Sequence, residues 1–421
     1  MRLPLNTEEP QVMHIDLNSC FATVEQQARP LLRGRPVGVT NRQGQQAQYA
    51  CIVAASYEAK ALGVRVGMRA DEARRLAPDI VVLETDPPKY HYAYQQLLGI
   101  MRSYSPHITM KSIDEGIIDF HGTREHINQR SLMDIGHEIK QRLKEDVGCW
   151  MRCNIGIAPN RFLAKLAASL HKPDGMDVIT HKNLRSVLAG LELTDLHGIA
   201  ERNQARLNAA GIFTPLQFLD APSDLLRRQV FRSICGEDWY QRLRGHEIDD
   251  QVFSTKTIGR QYVLEDTRLD EETVNSRLAY LCETTGMKLR YKGLCARGVM
   301  VYARYVTGDY WYERKMFKTT FFSNAEVHRR AMLLFNRRPH HDYVREIGVT
   351  CYQLEPSRQN QVSLLDEVNR EVWLTEAVDR INEQYGEFTL TFANSYPSRK
   401  VVKQKIPFGT TRYFELLCRH A

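Results

Sequence analysis

The stretch KSIDEGIIDF, residues 111–120, places two adjacent carboxylates, Asp114 and Glu115, inside an otherwise apolar run that predicts a strand. Burying an unpaired carboxylate is costly, so a strand that keeps one usually holds a cation or a strong hydrogen-bond partner. The stretch HIDL, residues 14–17, places Asp16 in a similar run. Carboxylates on neighbouring strands can converge on hard divalent ions such as Mg²⁺, so the three acids predict a metal site suited to phosphoryl chemistry.

Length and charge are compatible with several domains and with a nucleic-acid partner. The chain has 421 residues, of which 43% are hydrophobic, and a formal net charge of +7. A prior of about 150 residues per domain suggests roughly two to four domains with a sizeable core. A basic excess of this size permits a polyanionic partner without requiring one.

Cysteine usage and the absence of apolar segments favour a cytoplasmic protein. The nine cysteines form no CxxC pair, which predicts reduced thiols. The N-terminal residues have no apolar stretch of the signal-peptide type, and no run is long enough to span a bilayer. We therefore expect no membrane partner.

Strand and helix patterns alternate without a long βαβ repeat, which predicts an α+β fold rather than a doubly wound sheet. A strand over 12–17 leads into a helix with Ser19 as its N-cap. After Pro87-Pro88, apolar and aromatic residues recur at helical spacing, and we interpret this stripe as core packing. Residues 176–245 are predicted to be mostly helical. The second α+β unit has predicted strands and helices at 299–305, 314–321, 271–292 and 325–338.

Several side chains suit the triphosphate of a nucleotide. Phe21 lies five residues after the first acid, where a flat ring beside a metal–triphosphate site would exclude a 2′-hydroxyl; the alternative is an ordinary core aromatic. Tyr57 and Lys60 lie one helical turn apart and present a hydroxyl and a cation on one face. Lys165 and Lys172 flank the end of another helix and could also contact the triphosphate. The alternative interpretation is that each is an ordinary solvated lysine on the surface.

Two further patterns indicate DNA contacts. The turn LHGI, residues 196–199, with Arg202 is similar to half of a helix-hairpin-helix, in which Gly198 would let backbone amides approach a phosphate. The second unit also carries basic residues, which can be interpreted either as a DNA-binding surface or as an ordinary surface of mixed charge, because Glu265 and Asp266 lie among them. The basic residues that could track a phosphate backbone are Arg260, Arg304, Arg314, Lys315 and Lys318.

Taken together, these motifs resemble the Y-family DNA polymerases, the translesion class, over roughly residues 12 to 390. The motifs that carry the resemblance are IDLNSCFATVE (15–25), LRGRPV (32–37), SYEAKALGV (56–64), SIDE (112–115), NIGIA (154–158), KPDG (172–175) and TIGR (257–260). The resemblance implies a multidomain α+β right-hand polymerase with a ferredoxin-like palm (11–19 and 86–175), small fingers (20–85), a helical thumb (176–245), a linker (246–254), an α+β little finger (255–356) and a C-terminal extension (357–421).

The resemblance also implies roles for single residues. Asp16, Asp114 and Glu115 would be the catalytic residues and would hold two Mg²⁺ ions, helped by the Leu17 carbonyl. No segment remains for a proofreading exonuclease, so template-directed, low-fidelity addition of deoxynucleotides to a primer is the expected activity. The implied substrate-binding residues are the steric gate Phe21, its neighbour Cys20, and the triphosphate ligands Tyr57, Lys60 and Lys172.

Three positions depart from the family pattern. Lys60 stands where the family usually has Arg, which keeps the charge but loses bidentate geometry. The acidic pair is followed by Gly116-Ile117, where Ala and an aromatic residue are common. Cys20 precedes the gate, where Phe is frequent. None of these changes removes a metal ligand, so activity is still expected.

A short peptide beyond the second unit resembles the sliding-clamp motif of bacterial polymerases, although five-residue matches arise easily by chance. It reads QVSLL, residues 361–365, in which Gln361, Leu364 and Leu365 would bind a hydrophobic groove on the clamp. The expected partners are primer-template DNA, a dNTP, the sliding clamp and accessory proteins of the SOS response.

Two other functions remain open on the sequence alone. A non-catalytic adaptor of the same family would bind DNA or the clamp without synthesis, and the presence of all three acids argues against it. A palm-fold nucleotide cyclase shares the paired carboxylates, but it needs neither a basic second unit nor a clamp-like peptide.

Overall fold

The computed structural model describes residues 3–41, 50–251, 254–266, 268–339, 342–357, 366–399 and 401–402. The chain divides near residue 251 into two compact units. In the described residues, no helix is both long and apolar enough to cross a membrane.

The first unit contains two sheets, a five-stranded one in the order β5-β6-β1-β7-β8 and a three-stranded one in the order β3-β2-β4. β1 is central and pairs antiparallel with both β6 and β7, and its residues are almost all buried, which explains its apolar sequence. The strands are β1 (Val12–Leu17), β2 (Val37–Thr40), β3 (Ile52–Ala55), β4 (Val81–Glu84), β5 (Ile108–Met110), β6 (Glu115–Asp119), β7 (Cys153–Ala158) and β8 (Met176–Val178).

Helices pack on these sheets and form the rest of the first unit. The stripe on α4 that was interpreted as core packing is confirmed, since Tyr90, Tyr94, Leu97 and Met101 are all buried. The helices are α1 (Cys20–Ala28), α2 (Tyr57–Ala61), α3 (Ala70–Leu76), α4 (Pro87–Arg102), α5 (Leu132–Asp146), α6 (Arg161–Leu170), α7 (Leu184–Ala189), α8 (Glu201–Ala209), α9 (Pro215–Asp220), α10 (Ser223–Leu225) and α11 (Cys235–Arg242).

A glycine lets α6 lie directly on β7. A Cβ atom at Gly156 would come within 2.0 Å of the carbonyl oxygen of Ala164 and 2.3 Å of the backbone nitrogen of Ala168. Because backbone atoms cannot give way as a flexible side chain can, the helix reaches this position only over a residue without a side chain. The close approach fixes α6, and with it Lys165, relative to the central strands.

One local prediction for this unit is wrong, and a second holds for the backbone alone. The strand over 111–120 is interrupted, because the backbone N–H groups of Lys111 and Ser112 both donate to the Glu115 carbonyl, at 3.0 and 3.2 Å, and close a turn between β5 and β6. Asp114 therefore lies in the turn. Ser19 is the N-cap residue of α1, as predicted, and its carbonyl accepts from the Thr23 N–H at 3.0 Å, but its side chain makes no capping hydrogen bond and its backbone is left-handed (φ 47°, ψ 43°).

The second unit is an antiparallel sheet in the order β11-β10-β12-β9 with helices on one face, which confirms the predicted α+β unit. Two of its strands, β9 and β12, were not predicted, because Gly259 and Gly348 interrupt their apolar alternation. The elements are β9 (Thr257–Val263), α12 (Glu271–Tyr291), β10 (Leu294–Tyr305), β11 (Tyr310–Phe321), α13 (Asn324–Phe335), β12 (Val344–Pro356), α14 (Asp366–Tyr385) and α15 (Tyr396–Arg399).

Candidate active site

Strand pairing brings the three acids together at one end of the five-stranded sheet. Asp16 of β1 lies directly opposite Glu115 of β6 in the antiparallel register. The backbone N–H of Leu17 donates to the carbonyl oxygen of Asp114 at 2.8 Å, which ties the turn to the end of β1. The predicted convergence of acids from two distant stretches of sequence is therefore present.

Glu115 is held as a carboxylate by the ammonium group of Lys165, with the imidazole of His14 close beside it. Lys165 of α6 donates to both carboxylate oxygens, at 3.0 and 2.8 Å, and His14 Nε2 lies 3.3 Å from one of them. Burial alone would raise the pKa of Glu115, but the hydrogen bonds and charges of His14 and Lys165 outweigh burial and lower it to about 2. Lys165, predicted to contact a triphosphate, here contacts an acid.

Asp114 has a hydroxyl rather than a cation as its partner. The Ser112 hydroxyl donates to its carboxylate within the turn. Burial raises the pKa of Asp114, the Ser112 bond opposes this, and the neighbouring charges of Asp16 and Glu115 raise it further. A carboxylate in this situation is stabilised in its charged form by any cation that binds beside it.

Asp16 pairs with Lys172, which lies in the loop that follows α6. That loop is bound by Asn18, which accepts from the Asp174 backbone N–H at 2.8 Å, and by Asn154, which donates to the His171 carbonyl at 3.0 Å. The two amides also bond to each other at 2.9 Å, and both are buried. Neither asparagine was predicted; the available signal is a polar amide within or next to a buried strand.

The donor type fits hard divalent ions, because Asp16, Asp114 and Glu115 place three carboxylates at one sheet end, near enough for Asp16 and Glu115 to raise the pKa of Asp114. In the described residues, no group of three or more His, Cys, Asp or Glu side chains is arranged as a ready metal site. In this structure Lys172 and Lys165 instead pair with the carboxylates of Asp16 and Glu115. Binding of an ion to Asp16 therefore requires Lys172 to exchange partners, whereas Glu115 can bind an ion while Lys165 stays beside it.

Phe21 is buried at the start of α1, next to the acids. Its ring stacks on Tyr90 of α4 with centroids 4.2 Å apart and planes inclined by 7°. The Tyr90 hydroxyl donates to Glu25 at 3.0 Å, so the ring beneath Phe21 is itself anchored. Cys20 is also buried; burial raises the pKa of its thiol, and the nearby charges of Asp114 and Asp16 raise it further.

Lys60 and Lys172 face the same space beside Asp16. Lys60 Nζ donates to the Ser19 hydroxyl at 2.8 Å and lies 4.7 Å from the ring centroid of Tyr57. Burial lowers the pKa of Lys60, the charge of Lys172 lowers it further, and Asp16 acts in the opposite direction. Two cations and a phenol thus converge where an anion would bind.

Comparison with known proteins assigns the family. Residues 15–169 match the model of the impB/mucB/samB family, and residues 255–364 match that of its C-terminal domain. The DNA polymerase IV of Moorella thermoacetica is 31% identical over 383 residues, which cover 89% of this chain and 94% of that protein. The chain belongs to the impB/mucB/samB family of Y-family DNA polymerases.

Further relatives support the assignment over nearly the whole chain. The DNA polymerase IV of Pelotomaculum thermopropionicum is 29% identical over 406 residues, covering 94% of this chain and 97% of that protein. A solved Y-family DNA polymerase chimera, Dbh-Dpo4(243-245)-Dbh, matches with a TM-score of 0.70 and 24% identity over 82% of this chain and 99% of that one. An insertion ternary complex of Dbh DNA polymerase matches with a TM-score of 0.56 and 24% identity over 81% and 98%. The likeness to the solved structures shows the multidomain polymerase fold.

Gly116 is one of the three positions that depart from the family pattern, and the packing around it suits a residue without a side chain. A Cβ at Gly116 would lie 2.6 Å from the sulfur of Met110 and 2.8 Å from the terminal methyl of Met101. The two methionine side chains thus fill the space that a side chain at this position of β6 would occupy. The side chain of the neighbouring Glu115 points to the opposite face of β6, where Lys165 and His14 contact it.

The residues predicted to bind DNA lie in separate places. In the first unit, Gly198 has a φ of +99° in the turn before α8, and Arg202 is exposed on the first turn of that helix. In the second unit, Arg304 and Arg314 are exposed on the face of the sheet that carries no helices. Lys318 is exposed on β11 beyond an irregularity in its pairing with β10.

The five basic residues of the second unit do not all lie on the same face of the sheet. Arg260 pairs with Val349 and Lys315 pairs with Val299, and both valines are fully buried beneath the helices. Side chains directly opposite each other share a face, so Arg260 and Lys315 point to the helix-covered side. The clamp-like peptide with Gln361, Leu364 and Leu365 lies outside the described residues.

Proposed function

We propose that this chain is a template-directed, low-fidelity translesion DNA polymerase that adds deoxynucleotides to a primer 3′-hydroxyl, with two Mg²⁺ ions held by Asp16, Asp114, Glu115 and the Leu17 carbonyl. The observation that carries the proposal is the register that sets Asp16 opposite Glu115 with Asp114 in the adjoining turn. Divalent-metal-dependent nucleotidyl transfer is the chemistry of this family. The ions, when bound, activate the primer oxygen and neutralise charge on the leaving pyrophosphate.

The protein side chains bind and orient the nucleotide. Lys172 leaves Asp16 for the triphosphate, and Lys60 leaves Ser19 for it, because a polyanion attracts both cations more strongly than a single carboxylate or hydroxyl does. Tyr57 donates its hydroxyl to the same group. Lys165 remains on Glu115 or returns to it, which keeps that carboxylate charged throughout.

Phe21 selects the sugar. The ring is held flat against Tyr90 and cannot swing away from a nucleotide placed beside the acids. A 2′-hydroxyl would meet the ring edge, whereas the hydrogen of a deoxyribose would not. Cys20, at the start of the same helix, contributes to the wall of the pocket beneath the base.

Further partners are proposed from the sequence motifs. Primer-template DNA is bound by Gly198 and Arg202 in the first unit and by the exposed cations of the second. The peptide at residues 361–365 binds the sliding clamp through Gln361, Leu364 and Leu365, and accessory proteins of the SOS response act with the complex. The domain boundaries given in the sequence analysis are proposed with the same function.

The test is primer extension by Asp114→Asn, which keeps the shape of the side chain and removes its charge. We expect a loss of roughly 10³-fold or more, about 4 kcal/mol of transition-state stabilisation, because the metal site loses a charged ligand. Asp146→Asn is the matched control, since Asp146 lies on the surface of α5 and pairs with Arg142. Extension by Asp114→Asn at the rate of Asp146→Asn would refute the site assignment.

A further inference from the structure

Two buried asparagines contact the loop that carries Lys172. Asn154 lies on β7 directly opposite Asp16 of β1, so its side chain shares a face of the sheet with that acid. Asn18 follows β1, and both amides are buried. The loop, residues 171–175, connects α6 to β8, and Lys172 extends from it to the carboxylate of Asp16. A buried amide pair and a cation of the site are therefore joined by one short loop.

The hydrogen bonds of the two amides are directed at the backbone of this loop. Asn18 Oδ1 accepts from the Asp174 N–H at 2.8 Å. Asn154 Oδ1 accepts from the Gly175 N–H at 3.3 Å, and its Nδ2 donates to the His171 carbonyl at 3.0 Å. A bond of 2.9 Å from Asn18 Nδ2 to Asn154 Oδ1 joins the two amides. Because a backbone N–H only donates and a carbonyl only accepts, these contacts determine the orientation of both side chains.

Two other features restrict the same loop. A Cβ atom at Gly175 would lie 2.0 Å from the His171 carbonyl oxygen, so the turn closes only over a residue without a side chain. From α5, Lys140 and Lys144 donate to the Asp174 carboxylate at 3.1 and 3.4 Å. The loop backbone is thus held by α5 as well as by the buried amides, whereas the long side chain of the lysine at its tip keeps its rotatable bonds.

We propose that Asn18 and Asn154 are positioning residues that hold Lys172 ready for the triphosphate of the incoming nucleotide. The proposal rests on the proposed function, because it assumes that Lys172 moves from Asp16 to the triphosphate. With the loop backbone fixed, this move needs only rotation of the lysine side chain, so nucleotide binding need not also order the loop. Ordering the backbone of a single residue would weaken binding by about tenfold.

The strand register offers a second role for Asn154. It lies opposite Asp16 and could orient that acid instead of the loop. Its hydrogen bonds favour the loop, because its amide oxygen accepts from Asn18 and Gly175 and its amide nitrogen donates to His171. The two roles differ in what they affect, since a displaced loop weakens nucleotide binding and a displaced metal ligand slows the chemical step.

The experiment measures dNTP binding without the chemical step. The full chain is bound to primer-template DNA whose primer ends in a dideoxynucleotide, and dNTP is titrated while the fluorescence of 2-aminopurine in the template is recorded. We expect Asn154→Ala to raise the Kd for dNTP by about tenfold, the effect of ordering about one loop residue.

Asn382→Ala is the matched control for loss of a buried amide. Asn382 is buried in the second unit, where it donates to the Leu390 carbonyl at 3.1 Å and accepts from the Leu390 N–H at 2.8 Å. It therefore holds a loop backbone as Asn154 does, in a unit that lacks the three acids. Both variants should melt at a lower temperature than the wild type, and only Asn154→Ala should weaken dNTP binding.

A double-mutant cycle with Lys172 separates positioning from general loosening of the site. If Asn154 acts through Lys172, Asn154→Ala raises the Kd for dNTP in the wild type and leaves it unchanged in Lys172→Ala. An equal increase in both backgrounds would overturn the proposal. A wild-type Kd combined with slower primer extension would also overturn it and would assign the amide to Asp16. If Asn154→Ala does not fold, Asn18→Ala decides by the same cycle.

Failure of the proposed function has a different signature. If Lys172→Ala alone bound dNTP as tightly as the wild type, Lys172 would not be a triphosphate ligand, and that part of the proposed function would be wrong. If Lys172→Ala weakened dNTP binding while Asn154→Ala and Asn18→Ala did not, the proposed function would stand and only the positioning role would be wrong.

Discussion

The five-stranded sheet of the first unit and the four-stranded sheet of the second carry their charged residues in different places. In the first, the strands are apolar along their length, and Asp16 and Glu115 lie at strand ends with Lys172 and Lys165 as partners. In the second, Arg304 and Arg314 lie along the strands on an open face. A reaction site needs few charges in fixed, balanced positions, whereas a surface for a long polyanion needs many charges spread over its length.

The largest effect should follow a change at the fixed site. Phe21→Ala removes the ring beside the sugar, so incorporation of ribonucleotides relative to deoxynucleotides should rise by about 100-fold, the scale on which a pocket rejects one hydroxyl. Steady-state kinetics with paired dNTP and rNTP substrates measure the ratio. Phe162→Ala, which removes a buried ring elsewhere in the first unit, is the control for lost packing. If the ratio of ribonucleotide to deoxynucleotide incorporation were equal in both variants, Phe21 would not be the steric gate.

An intermediate effect concerns the charge balance at Glu115. Its folded-state pKa of about 2 lies below its ordinary value near 4.5, so the carboxylate stabilises the fold above pH 4.5 and loses this contribution as the pH falls toward 2. On the order of 2 kcal/mol should disappear across that range. Urea unfolding of wild type and Glu115→Gln should show a stability difference that shrinks as the pH falls. A constant difference from pH 7 to pH 3 would mean that Glu115 is not held by Lys165 and His14.

The smallest effect should follow a change on the open face. Arg314→Ala removes one of many dispersed cations, so duplex affinity should fall modestly and the salt slope should decrease by about 1. The rate of the chemical step at saturating DNA should not change. Arg228, an exposed residue of the first unit that pairs with Asp224, provides the control. If Arg314→Ala lost turnover but bound DNA as the wild type does, the second sheet would take part in the reaction and the proposed difference between the two sheets would be wrong.

The elements that could be predicted from the sequence are those in which local pattern and burial agree. The strand over residues 12–17 and the apolar stripe of α4 were correct because both are buried along their length. The turn at residues 111–114 was missed because the residues around Ser112 follow the pattern of a strand. The turn is closed by backbone hydrogen bonds to Glu115, which the sequence pattern does not indicate. Sequence pattern describes one segment at a time and says little about how a segment bends.

Apart from the convergence of the acids, side-chain contacts between distant parts of the chain were not predicted. The bond between the amides of Asn18 and Asn154 joins residues 136 positions apart, and the partner of Glu115 is a lysine 50 positions away. Likewise, the side of the sheet on which Arg260 lies depends on its pairing with Val349. The acids themselves were found because a charged residue in an apolar run is unusual, whereas a lysine on a helix is not.

The central claim is that Asp16, Asp114 and Glu115 bind two divalent ions next to a nucleotide. The most direct measurement is anomalous scattering from Mn²⁺ in crystals of the chain with primer-template DNA and a non-hydrolysable dNTP. We predict two ions with oxygens of all three acids about 2.2 Å away, and with Lys172 moved from Asp16 to the triphosphate. Ions bound elsewhere, or a Lys172 still paired with Asp16 beside a bound nucleotide, would contradict the account.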